Sequence, residues 1–247
     1  MERNRAKQKL LKKEPVFCVA GLDSTDKVDF MGQFGFDANW IECEHGGVGW
    51  HQIADMTRAC DLWGMSAIVR VNGNTPWLIT RYFDQGVNGI VVPHVNTKED
   101  AQQAVQSAKF APLGYRGIFG GRQAYGAKDF FTKANDQTIV IVLIEEKRAV
   151  DNLDKLLEVE HIDVFHLAPG DLAQTLGLLG QPGHPDVRAV VDAAIKKIVK
   201  AGRCAGATPS NADDAKKFLD IGAGFIYVNS YAWLAEGARS YLAKVKG

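Results

Sequence analysis

The chain has 247 residues and few cysteines: Cys18, Cys43, Cys60 and Cys204 are scattered, and none stands in a C-x-x-C pair. At this length such usage points to reduced thiols and a cytoplasmic home rather than a disulfide framework. An excess of charge is also missing, with 29 Lys+Arg against 29 Asp+Glu. A neutral chain gives no electrostatic footing for nucleic acid as a partner. No apolar run reaches the ~18 residues of a membrane helix, so no membrane partner is expected. The basic opening, residues 1–14, lacks the apolar centre of a secretory signal. Its Lys7-Gln8-Lys9-Leu10-Leu11-Lys12-Lys13 stretch is read as a short amphipathic helix. There is no low-complexity linker and no internal repeat. A single domain over 1–247 is therefore expected, a length that one α/β barrel commonly has.

What is present is an alternation. Short apolar runs at 16–20, 38–43, 67–71, 89–93, 138–144, 163–168, 204–208 and 225–229 are separated by helical patterns. Apolar runs without strict polar alternation fit strands buried on both faces, the mark of a parallel sheet. Residues 50–63 and 97–109 carry helical spacing, the second with Asn96 or Thr97 as cap. A helix over 185–201 begins at Pro185 and ends at Gly202. Ser210-Asn211-Ala212-Asp213 opens another as a capping-box-like start. Eight strands alternating with helices make a (β/α)8 barrel, an α/β fold. Residues 111–137, rich in Gly, Arg and aromatics, are too long for an ordinary connection and are expected to form a lid or binding loop.

Barrel active sites lie at the C-terminal ends of the strands, so the polar residues there carry the chemistry. The second strand runs out in Glu42-Cys43-Glu44-His45-Gly46-Gly47, the third at Arg70, the fourth in Pro93-His94, the fifth in Glu145-Glu146, and the sixth in Ala168-Pro169-Gly170-Asp171. Each has a plainer reading. Asp171 fits a helix N-cap, Arg70 a structural ion pair, His45 a loop histidine, and Glu146 an outward or capping residue. Cys43, His45 and His51 match no standard zinc spacing. Taken together, two hard carboxylate ligands completed by waters and a bidentate substrate suit Mg²⁺ or Mn²⁺. Such a cation polarises a 2-oxo acid, an arginine beside the oxo group steadies the enolate, and a histidine moves the proton. The strand runs hold no internal lysine, which disfavours a Schiff base.

Phe36-Asp37, Ile41-Glu42-Cys43-Glu44-His45-Gly46, Val69-Arg70-Val71 and the run Gly89 to Thr97 follow one another in order. So do Gly114-Tyr115-Arg116-Gly117, Arg122, Tyr125-Gly126, Ile144-Glu145, Ala168-Pro169-Gly170-Asp171-Leu172 and Leu176-Gly177. In these motifs, over nearly its whole length, the chain resembles the metal-dependent (class II) pyruvate aldolases of the 4-hydroxy-2-oxoheptanedioate and 2-keto-3-deoxy-sugar-acid type. The resemblance implies reversible cleavage of a 4-hydroxy-2-oxo acid to pyruvate, or a close analogue, and an aldehyde. It implies metal ligation (Mg²⁺ or Mn²⁺, with Co²⁺ admissible) by Glu145 and Asp171, and Arg70 on the oxo oxygen. It also implies a proton-handling dyad of His45 with Glu42, Glu44 in support, and a substrate-carboxylate cradle at Pro169, Gly170 and Asp171. A homohexamer with an exchanged C-terminal helix is implied as well.

Three positions depart from the family pattern. Glu42 stands for the usual Asp, Leu143 for a Gln, and Asn229-Ser230-Tyr231 for a Gly-Ser-Asp-like segment. They leave two rivals in view: a decarboxylase or citrate-lyase-β-like lyase on the same platform, and a barrel that binds a 2-oxo acid without turning it over.

Overall fold

The computed structural model describes residues 4–246; Met1 to Arg3 and Gly247, which the single-domain expectation included, lie outside the described residues. The eight apolar runs form eight parallel strands: β1 Val16–Ala20, β2 Ala38–Glu42, β3 Ser66–Arg70, β4 Gly89–Val92, β5 Ile139–Ile144, β6 Val164–Leu167, β7 Ala205–Ala207 and β8 Phe225–Asn229. They close in sequence order, β1 pairing with β8 from Val16↔Phe225 to Ala20↔Asn229.

Alternation within each strand explains why the runs are apolar throughout. Ile139, Ile141 and Leu143 of β5 point into the barrel with Val16, Trp40, Ile68 and Phe225. Val140, Val142 and Ile144 face the surrounding helices. All six residues of β5 are buried, so a polar side chain on either face would lose its water without a partner.

The helix starts follow their caps. Thr97 takes the N–H of Asp100, whose carboxylate accepts the N–H of Thr97 and of Asn96, so the helix Lys98–Ala108 is boxed at its start. The helix Ala212–Asp220 begins one residue later than the expected box. Asn211, not Ser210, accepts the Asp214 N–H, and Asp214 in turn accepts the Ser210 N–H. Residues 50–52 wind as a tight 3₁₀ turn before the helix Ile53–Leu62 takes over.

The basic opening does form a short helix, Arg5–Leu11, two residues ahead of the expected 7–13, and it acts as a plug. Ala6 and Lys7 are buried; Asn4 reaches the carbonyls of Asn88 and Gln137, and the Lys7 ammonium pairs with Asp163. These partners lead into the strands, so the helix seals the N-terminal mouth and leaves the other rim open.

The segment 111–137 is not a lid over that rim. It connects the helix Lys98–Ala108 to the start of β5 and contains the helix Phe130–Gln137. Its side chains dock at the N-terminal end of the barrel: Arg122 on Asp61 and Thr57, and Gln123 on the Gly86 carbonyl. Arg116 is buried with its guanidinium 4.5 Å from the ring centres of both Phe83 and Phe110. The length of this segment reflects a second small core, Phe110, Phe130 and Ala134.

Candidate active site

At the open rim the strand ends bring most of the candidate residues into one network. Register places Glu42 beside Arg70, and the guanidinium spans two carboxylates: Nε lies 2.7 Å from Glu42 Oε2 and Nη1 lies 2.9 Å from Glu44 Oε2. Arg70 therefore is the ion-pair partner that its strand-end position allowed, and is also a cation aimed into the cavity. Burial works against its charge, but the two glutamates and Glu145 hold it more firmly protonated than an ordinary arginine.

Glu42 does not reach for the ring of His45. Its Oε1 accepts the backbone N–H of Glu44 (2.9 Å) and of His45 (3.0 Å), and its Oε2 also accepts the Trp40 indole N–H at 3.2 Å. Burial alone would raise its pKa; the Arg70 and amide hydrogen bonds outweigh burial and lower it. The carboxylate nearest the His45 ring is that of Glu44, 3.8 Å from Nε2, while the ring itself stands 68% exposed at the mouth.

Glu145 is 1% exposed at the end of β5. Its Oε1 accepts the backbone N–H of His94 at 2.7 Å, which a left-handed His94 (φ 54°) presents to it. Burial raises the Glu145 pKa, and the nearby charges of Asp171 and Glu44 push the same way, against the help of His94. A buried carboxylate crowded by others is the kind of site that a divalent cation relieves. Asp171 sits in the first turn of the helix Pro169–Thr175, whose N-cap is Ala168, so Asp171 is not itself the cap. In the expected carboxylate cradle, Pro169 has no N–H to give; the donors available are the amides of Gly170 and Asp171.

By sequence Glu146 reads as an outward-facing or capping residue. It stands at the N-cap position without a capping bond, and its Oε1 holds His94 Nδ1 at 2.8 Å. His94 thereby sits among Glu44, Glu145 and Glu146. Burial lowers its pKa, but the three carboxylates, Glu146 first, raise it overall. Cys43 and His51 do not join His45: the Cys43 thiol faces Tyr82. Among the described residues no three His, Cys, Asp or Glu side chains are arranged to hold a metal, so a cation here would take two carboxylates and draw its other ligands from solvent and substrate.

Apart from Leu143, no sequence motif marks the aromatic and uncharged lining of the cavity. Trp40, Leu143, His166, Thr208 and Tyr227 line a cavity of about 360 Å³ together with Arg70, Glu145 and Asp171. Trp40 meets Tyr227 edge-on at 4.9 Å and His166 at 5.5 Å. His166 is fully enclosed, with Nε2 2.9 Å from Thr208 Oγ1. The Thr208 hydroxyl also reaches the Leu167 carbonyl at 3.4 Å, and His166 Nδ1 is buried without a hydrogen-bond partner. Nδ1 rests against Gly206, where an added Cβ would come within 2.4 Å; β7 must be glycine there to admit the ring. The one signal in the sequence was parity: Val164 and His166 share the inward side of β6.

Burial, aided by the Arg70 charge, pushes the His166 pKa down to about 3 from an ordinary 6.5. The unfolded chain thus takes a proton that the folded chain refuses. Its contribution to stability is full above pH ~6.5 and is lost progressively as pH falls toward the folded value. Between pH ~6.5 and ~5 the loss amounts to on the order of 2 kcal/mol. Denaturant titrations of the intact chain and of His166→Phe should show that acid slope flattened in the variant; equal slopes would remove His166 as its source.

The HpcH/HpaI aldolase/citrate lyase family model matches residues 18–231. The chain is 32% identical over 228 residues to 4-hydroxy-2-oxo-heptane-1,7-dioate aldolase of Shigella sonnei, covering 90% of this chain and 87% of that one. It is 33% identical over 224 residues to hydroxypyruvate/pyruvate aldolase of Agrobacterium fabrum, covering 89% and 84%. A crystal structure of an HpcH/HpaI aldolase/citrate lyase family protein from Burkholderia cenocepacia superposes with a TM-score of 0.91 at 29% identity, covering 99% of this chain and all of that one.

Proposed function

Because the chain belongs to the HpcH/HpaI aldolase/citrate lyase family, we propose that it is a divalent-metal-dependent lyase that reversibly cleaves a 4-hydroxy-2-oxo acid to pyruvate, or a close 2-oxo acid, and an aldehyde. The observation that supports this most directly is the buried Glu145, crowded by the charge of Asp171, in the same cavity as the guanidinium of Arg70. Glu145 and Asp171 would hold the cation; all-oxygen donors favour Mg²⁺ or Mn²⁺, and Co²⁺ is admissible. When bound, it supplies Lewis-acid polarisation of the 2-oxo acid.

The chain's own groups do the rest. The Gly170 and Asp171 amides receive the substrate carboxylate. His45, through water, takes the proton of the C4 hydroxyl; the C3–C4 bond breaks, the aldehyde leaves, and the electron pair passes into the C2–C3 enolate. Arg70 steadies the enolate oxygen, and C3 then takes a proton to give pyruvate. Glu42 fixes the backbone of the turn that carries His45, while Glu44 orients both Arg70 and the imidazole. Leu143, where the family has a polar residue, leaves this set of groups intact.

The exposed helix Ser230–Lys246 supports an assembly. Among its residues only Ser230 is buried, and Tyr231, Leu234, Tyr241 and Val245 are each more than half exposed. A lone helix with apolar residues in water gains little from its own hydrogen bonds, so we take it to pack on a second copy, as in the exchanged-helix hexamer the resemblance implies. Free thiols at all four cysteines fit a cytoplasmic location. No helix among the described residues is long and apolar enough to cross a membrane. Nothing in the charge balance calls for nucleic acid.

The reading is tested by pyruvate release from a 4-hydroxy-2-oxo acid with Mn²⁺ or Mg²⁺, measured beside oxaloacetate decarboxylation. Cleavage with no decarboxylation supports it, and decarboxylation alone would move the chain to the rival chemistry. His45→Ala should slow cleavage about 10²-fold or more while the metal-induced rise in Tm persists. If the rise disappears with it, His45 is a ligand and not the acid/base.

A further inference from the structure

We propose that Trp40 is a positioning residue for Arg70, acting through Glu42: its buried indole N–H fixes the carboxylate on which the guanidinium is aligned. The inference rests on the aldolase reading above and adds a residue to the part of that site that meets the enolate oxygen.

Trp40 and Glu42 stand two apart on β2, so they share its inward face, Trp40 one layer deeper in the barrel. Trp40 is 3% exposed. An indole N–H can only donate, and one shut away from water needs an acceptor. Glu42 Oε2, at 3.2 Å, is that acceptor. The ring is held on other sides by Tyr227, edge-on at 4.9 Å, and by His166 at 5.5 Å. His166 is in turn boxed by Phe225 at 5.9 Å and by Gly206. The donor therefore comes from packed rings in the barrel interior and not from the rim.

Arg70 has two carboxylates but one firm anchor. Glu44 meets it at 2.9 Å, and the other neighbours of Glu44 are the rings of His94 at 3.5 Å and His45 at 3.8 Å, both more than half exposed. Glu42 is tied to the backbone, its Oε1 accepting the Glu44 and His45 amides. The last torsion of a glutamate is soft, so those amides fix one oxygen and leave the tilt of the other to its own donors. Oε2 has two of these, Arg70 Nε at 2.7 Å and the indole. With the indole in place the carboxylate plane is set independently of Arg70, and the guanidinium aligns to it. Nε and Nη1 are then both engaged, and Nη2 is the nitrogen left to face the enolate oxygen. Without the indole, carboxylate and guanidinium can tilt as a pair, and Nη2 moves with them. A ring that only fills the barrel would make its bulk matter and its N–H not.

Two variants separate the N–H from the bulk: Trp40→Phe, and replacement of Trp40 by benzothienylalanine, in which sulfur stands for the N–H at nearly the same size. Each is made in the full-length protein, and deuterium exchange at C3 of pyruvate in D₂O with Mn²⁺ reports enolate formation. In both variants kcat for exchange should fall about tenfold, part of the ~10²-fold that a 1 Å misplacement can cost. KM for pyruvate and the Mn²⁺-induced rise in Tm should hold, because the Gly170 and Asp171 amides and the metal carboxylates are untouched. In a Glu42→Gln background the amide nitrogen cannot accept the indole N–H, so removing that N–H should cost nothing further. Full kcat with benzothienylalanine, or an equal loss in the intact and Glu42→Gln backgrounds, overturns the positioning role alone. Absence of exchange in the unsubstituted protein overturns the aldolase reading and this inference with it.

Discussion

Glu145→Gln is expected to abolish metal-dependent enolisation of pyruvate and to make the metal-free protein more stable. The two effects share one cause. Glutamine keeps the shape of the side chain and the oxygen that accepts the His94 N–H. What it removes is the charge, which in the folded chain is 1% exposed and sits near Asp171 and Glu44. Burial and like charge both disfavour the ionised form there, so removing it relieves the fold while depriving a cation of a ligand. Activity should fall well beyond the ~10–100-fold typical of losing a contact behind a ligand. Thermal unfolding supplies the second readout. Mn²⁺ at ~100 times its dissociation constant should stabilise the intact chain by about 2.7 kcal/mol, seen as a rise in Tm. Glu145→Gln should begin with a higher Tm and gain nothing from the ion. Asp171→Asn should likewise lose the metal response. Full activity, or an undiminished metal shift, in either variant would remove the two carboxylates from the cation and leave only the fold standing.

The barrel was legible because its signals are local. Each apolar run is bounded by polar turns and is bracketed by helices with their own caps, so strand existence follows from composition alone. β5 is the clearest case, with six residues buried on both faces and Glu145 immediately after. The candidate site was legible to the same depth, since strand-end polar residues share one rim in any such barrel. What the sequence did not carry was how each charge is used. Glu42 reads as a partner for the His45 ring, yet the chain folds back so that its oxygens meet two amides, an indole and a guanidinium. The Ser210 cap slips by one residue: Asn211 accepts the Asp214 N–H, and the Asp214 carboxylate takes the N–H and hydroxyl of Ser210 itself. The segment 111–137 reads as a lid because length and composition do not reveal which end of the barrel a loop lies on. The placement of β5 after it settles that point. His166 and Tyr227 hide inside apolar runs, where only the parity of the strand shows that they line the cavity.

The dual engagement of Arg70 sets the expected outcome of removing it. Arg70→Ala should slow pyruvate enolisation by about 10²–10³-fold, some 2.7–4 kcal/mol, if it acts as one preorganised donor to the enolate oxygen. The structure argues for the upper end of that range. The guanidinium holds Glu42 at 2.7 Å and Glu44 at 2.9 Å, with 15% of its side chain exposed. Deleting it takes away a cation and also leaves two partly buried carboxylates facing the developing negative charge. That second contribution is separable. In a Glu44→Gln background one of the stranded charges is gone, so Arg70→Ala should cost less there than in the intact chain, a coupling a double-mutant cycle measures. Arg70→Lys keeps the charge but cannot span two carboxylates with a planar fork, and should fall between. Identical costs in both backgrounds would mean that Glu44 does not share the guanidinium in solution. An unchanged exchange rate in Arg70→Ala would mean that the charge facing the cavity has no part in the enolate at all.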